Sequence, residues 1–158
     1  MKIGGHGLRD HLRLLSPLFG LIAAVWVLRM VLYAADAPRL LMHWCSVTVA
    51  GAVAVMLAVV LIHIRRFGSY PNVVLATFLI ECCQQLLIIA AIAFATLTGT
   101  HSVYTEPRFA GHFPPLEHIL GHLTFGVGLG TLFGSAMGCL VLWLLRRLVP
   151  LSTVTSDK

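Results

Sequence analysis

The chain has 158 residues, of which 58% are apolar and 11% charged, whereas a soluble domain carries about 25% charged residues. With a mean hydropathy of +0.91, that balance excludes a water-soluble globule and a disordered chain. The net charge of +5 lies in short clusters beside apolar runs, with no basic stripe or interleaved aromatics, so it reports membrane topology and no nucleic-acid partner is expected.

Four apolar runs follow in chain order. The first, residues 14–35, is interrupted only by Arg29 and ends in the polar turn Asp36-Ala37-Pro38-Arg39, where the proline removes an amide donor. The second, 40–64, is closed by Arg65 and Arg66, with Gly68 and Pro71 beyond. The third, 72–97, holds Glu81, Gln84 and Gln85. An outer loop over 98–117 contains Pro107, Pro114 and Pro115 and leads into the fourth run, 116–148. Each run can cross an apolar layer that takes about 20 helical residues. Backbone amides within a bilayer need internal partners, so all four are expected as helices. The predicted fold is all-α: one membrane domain over 1–158, a polytopic four-transmembrane-helix bundle.

Lysine and arginine set the expected orientation. Lys2, Arg9, Arg13, Arg65, Arg66, Arg146, Arg147 and Lys158 fall on the side of the termini, against Arg39 and Arg108 on the other. Eight against two predicts a multi-pass protein of the inner (plasma) membrane with both termini in the cytoplasm. The first run is too long for a signal-peptide core and lacks a small-residue cleavage site, so it is expected to stay in the membrane.

Charged and strongly polar groups inside these runs are candidates for function. Glu81 and Gln84 fall near the bilayer midplane, and Arg29 roughly 7 Å outward of it at ~1.5 Å per residue. A charge at such depth costs at least ~2.5–3.5 kcal/mol, so it should be paired or turned inward. Glu81 and Gln85 share a helix face, with Gln84 beside them. The expectation is a buried polar clamp in which Arg29 meets Glu81, Gln84 or Gln85, orienting the first and third helices. A proton- or quinone-handling site is the alternative.

Five of the eight histidines lie on the side opposite the termini: His43, His101, His112, His118 and His122. His118 and His122 are four apart on the fourth helix, and His43 opens the second at a similar depth. Two histidines on one helix and a third on another suit a zinc or copper ion, and a facing pair suits haem b. Glu106 and Glu117 are candidate supporting or oxygen ligands. His6, His11 and His63 read as ordinary interfacial residues.

Gly126, Gly130, Gly134 and Gly138 continue the line of His118 and His122 at steps of four. Such a stripe lets another surface approach the backbone closely, whether a helix of the bundle, a second chain or a flat cofactor. The cysteines, among them the vicinal pair Cys82-Cys83, read as small apolar core residues. The chain has the size of the membrane-associated glutathione and eicosanoid enzymes, but the Glu-Arg-x-x-Asn helix motif of that family is missing. No nucleophile–base pair, phosphate loop or HExxH helix is present. The functional expectation is therefore an accessory or interaction subunit of a larger membrane assembly, meeting the lipid bilayer and a protein partner or a second copy through its fourth helix. The alternative is a haem- or metal-binding carrier using His43, His118 and His122.

Overall fold

The computed structural model describes residues 2–149. Four helices in it are long and apolar enough to cross a membrane, which fits a multi-pass membrane protein of the all-α class. In chain order, a two-strand hairpin (β1, Lys2–Ile3; β2, His6–Gly7) precedes α1 (Leu8–Ala34), a short α2 (Arg39–Trp44), α3 (Val47–Ile64) and α4 (Tyr70–Thr98). A loop carrying α5 (Pro107–Ala110) leads to α6 (Pro115–Gly121), a π-helical turn (His122–Gly126) and α7 (Val127–Leu148), which run on as one helix.

α3 and α4 form the centre. Half of the α3 span and 44% of the α4 span are buried, against 22% for α1 and 17% for the last helix, so the outer pair shows mostly apolar surface. Small residues on α3, namely Ala50, Gly51, Ala54 and Ala58, are buried and allow the close backbone approach that packing in lipid depends on.

The first span begins at Leu8, six residues before the expected 14. It continues through Pro17, whose missing amide leaves the Arg13 carbonyl without its helical partner. The Ser16 hydroxyl donates to that carbonyl at 3.0 Å and makes good the loss. The second run is two helices instead of one. The chain breaks at Cys45-Ser46, where the Ser46 hydroxyl caps α3 by accepting from the Val49 amide at 3.1 Å. His43 therefore stands on the short α2 and does not open the spanning helix.

The hairpin was not anticipated. Gly4 and Gly5 have φ of +56° and +90°, the left-handed pair that a tight two-residue turn demands. His6 stacks on Phe67 with ring centroids 3.8 Å apart. His11, fully buried, bonds the Gly7 carbonyl through Nδ1 at 2.8 Å. The buried Asn72 amide donates to His11 Nε2 at 3.0 Å and to the Ile3 carbonyl at 2.6 Å, and accepts from the Ser69 amide at 2.9 Å. Arg146 donates to the Gly68 carbonyl nearby at 2.8 Å. This hairpin end is thus tied together by polar contacts from α1, α4 and α7, and His11 is a core residue there.

The glycine stripe packs within the bundle. A methyl group at Gly126 would stand 2.7 Å from the Gln85 amide carbon, at Gly130 2.5 Å from Glu81 Oε2, at Gly134 2.8 Å from Thr77 Cγ2, and at Gly138 2.8 Å from Val73 Cγ1. Each step of four along α7 is answered by a step of four back along the antiparallel α4. The neighbour is the third span, with Gly138 also meeting Val59 of α3, so the stripe is not a free face for another chain.

Candidate functional site

Glu81, Gln84 and Gln85 are all buried on α4. They fit there because three facing positions lack side chains. A Cβ at Gly51 of α3 would overlap the Gln84 amide, and Gly130 and Gly126 leave room for the Glu81 carboxyl and the Gln85 amide. The Gln84 amide donates to Glu81 Oε2, and Gln85 is a second hydrogen-bond partner of the same carboxyl. The three polar residues of α4 thus share one interior site, held by glycines on both sides.

From Gln85 the polar contacts continue to the last helix. His122 Nδ1 lies 2.7 Å from Gln85 Oε1, and His122 Nε2 lies 3.1 Å from His118 Nε2. An amide oxygen only accepts, so His122 carries its proton on Nδ1. A neutral His122 then accepts at Nε2 from the His118 Nε2–H. The result is an ordered chain, Gln84–Glu81–Gln85–His122–His118, running from the middle of α4 toward the loop end of the bundle.

The π-helical turn brings His122 into this chain. The Thr124 hydroxyl donates to the Leu120 carbonyl at 2.7 Å, and the Val127 amide reaches back five residues to the His122 carbonyl. Such widened turns insert one residue into an α-helix and re-aim the side chains before them. Here both His122 and Gly126, which bound the turn, address Gln85.

His118 and His122 line a cavity of about 420 Å³ together with Arg29, His43, Ser46 and Tyr104. The three candidate histidines thus border one space, yet His43 packs edge-on against Trp44. Among the described residues no three His, Cys, Asp or Glu side chains come together as a metal site. Glu117 is exposed, and Glu106 accepts from the Tyr33 hydroxyl at 3.4 Å and pairs with Arg108 at 3.6 Å. The cysteines are free and half-buried.

Arg29 departs from expectation. It does not join the clamp: its guanidinium lies 5.2 Å from the centre of the Tyr104 ring, and no hydrogen bond or ion pair links it to Glu81, Gln84 or Gln85 among the described residues. Depth along a helix does not fix the face, and α1 turns Arg29 toward the cavity. Tyr104 comes from the 98–117 loop and is buried, although that loop reads as solvent-facing in sequence. Burial pushes its phenol up to about 12 despite the lowering by the Arg29 cation. No sequence pattern marked Tyr104. The pattern Ile3-Gly4-Gly5-His6 did offer a signal for the hairpin.

Comparison of the chain with known protein families, with curated proteins and with solved structures gave no match.

Proposed function

We propose that the protein is a small proton-handling subunit of the plasma membrane, an accessory part of a larger assembly, with both termini in the cytoplasm. What supports the reading is one observation: the hydrogen-bonded chain that joins the Glu81 carboxyl to the His118–His122 pair beside a cavity. Imidazoles take up and release protons near neutral pH, and a carboxyl in a bundle interior is a default functional group of membrane proteins. The Gln85 amide links the two, so a proton gained at the histidine pair changes what Glu81 experiences.

The partner reading rests on the outward face of α7, where Leu132, Phe133 and Met137 are exposed, and no longer on the glycines. A haem or metal bound through His43, His118 and His122 has less support, because His118 and His122 face each other at hydrogen-bonding distance and, among the described residues, no third ligand joins them.

Infrared difference spectroscopy of the purified protein tests the proposal. The Glu81 carboxyl band, identified by its loss in Glu81→Gln, should shift as the histidine pair titrates, and His122→Phe should abolish that shift. A band that ignores pH in the wild type overturns the proton-handling reading. A reporter fused after residue 158 should be active only in its cytoplasmic form; activity outside the cytoplasm overturns the orientation.

A further inference from the structure

A second cavity of about 490 Å³ adjoins the one beside the histidine pair, and the two share Arg29, His43 and Ser46. Arg39 and Arg108 line the second cavity. Three guanidinium groups and three imidazoles therefore border this cleft; the carboxylates Asp36 and Glu106 line the neighbouring cavity beside Arg39 and Arg108, away from Arg29. Arg108 has Glu106 at 3.6 Å, whereas neither Arg29 nor Arg39 has an ion pair among the described residues.

A partly buried guanidinium at the edge of an apolar bundle is costly unless an anion answers it. Arg29 is the sharpest case. Its guanidinium is held over Tyr104, and its Nε is buried with no hydrogen-bond partner. A guanidinium fixed in this way presents its donors in a planar fork, the geometry that phosphate oxygens match in pairs. Apart from Thr48, the remaining walls, among them Leu40, Val49, Ile88 and Phe109, are apolar and would accept the start of an acyl chain. A zwitterionic headgroup would place its ammonium among the same arginines, which repel it.

We propose that this cleft binds a phosphate group of net negative charge, with Arg29, Arg39 and Arg108 as its donors. The inference goes beyond proton handling and does not depend on it. The phosphate belongs either to an anionic phospholipid or to a soluble phosphate, and one experiment separates the sources. The full chain, purified in detergent and stripped of lipid, is offered phosphatidylglycerol, phosphatidylcholine or inorganic phosphate, and binding is read by native mass spectrometry and thermal unfolding.

Retention of phosphatidylglycerol without phosphatidylcholine assigns the lipid source. Stabilisation by inorganic phosphate equal to that by phosphatidylglycerol assigns the soluble one. Equal retention of both lipids, or no effect of phosphatidylglycerol and phosphate alike, overturns the proposal. Arg29→Gln should weaken binding about tenfold or more, as expected for loss of a charged donor. Because Arg29 is half-buried, the double variant Arg39→Gln/Arg108→Gln, at two exposed positions, provides a second reading with folding intact. Unchanged binding in either folded variant overturns the proposal.

Discussion

Gly130 of α7 lies directly against the Glu81 carboxyl of α4, so closely that a methyl group there would stand 2.5 Å from Oε2. Gly128, two residues away, has nothing within 4 Å of the same added atom. Gly130→Ala should therefore destabilise the bundle by about 1–3 kcal/mol through overpacking. Gly128→Ala should be neutral or slightly stabilising, since alanine favours the helix by ~1 kcal/mol. Unfolding of the two variants in mixed detergent compares them directly; equal stabilities would contradict this packing of α7 on α4.

The contact between His122 and Gln85 makes a double-mutant cycle informative. Gln85→Leu leaves the partly buried His122 Nδ1–H without its acceptor, a loss of about 1 kcal/mol. In a His122→Phe background the same change should cost much less. A coupling of at least ~0.5 kcal/mol is expected for residues in direct contact. Additive effects would mean that the two side chains do not meet.

At the hairpin end, Asn72 satisfies His11, the Ile3 carbonyl and the Ser69 amide together. Asn72→Leu keeps the volume and removes all three bonds. Hydrogen exchange should quicken across residues 2–7 and at the start of α1, while α7 near Gly130 keeps its protection. Uniform loss of protection would instead indicate global unfolding and no local tie.

The Tyr104 phenol, pushed up to about 12 from an ordinary 10.0, gives a pH prediction. The folded state holds this proton more tightly than the unfolded chain does. Its contribution is therefore complete below about pH 10 and is lost as pH rises toward 12. Two units correspond to roughly 2–3 kcal/mol. An alkaline unfolding series should show this fall in the wild type and a smaller one in Tyr104→Phe. Ultraviolet titration should show the late-ionising phenol disappear in that variant.

The four spans were legible because length and apolarity alone decide what can cross a bilayer, and Pro38, Pro71 and Pro115 punctuate them. The shared face of Glu81 and Gln85 on α4 followed from helical spacing, although the Arg29 partner expected for it did not. The break at Ser46 was not legible: a serine inside an apolar run reads as a tolerated polar residue until its hydroxyl is seen capping Val49. The place of Arg29 was hidden for a related reason. Its depth followed from counting residues, but its partner, Tyr104, arrives from a loop whose fold no periodicity describes. The π-helical turn likewise leaves no pattern, because inserting one residue changes phase without changing composition.

The glycine face of α7 also has a consequence for biogenesis. Until the last helix docks, Glu81, Gln84 and Gln85 on α4 have only one another as polar partners, and the two histidines that extend the polar chain are not yet in place. Translation delivers α7 after α1, α3 and α4, so a partly inserted chain carries an exposed carboxyl and amide at mid-membrane depth. The order of the helices along the chain thus leaves the polar site uncovered until the final span is in place, and the glycine face is what closes over it.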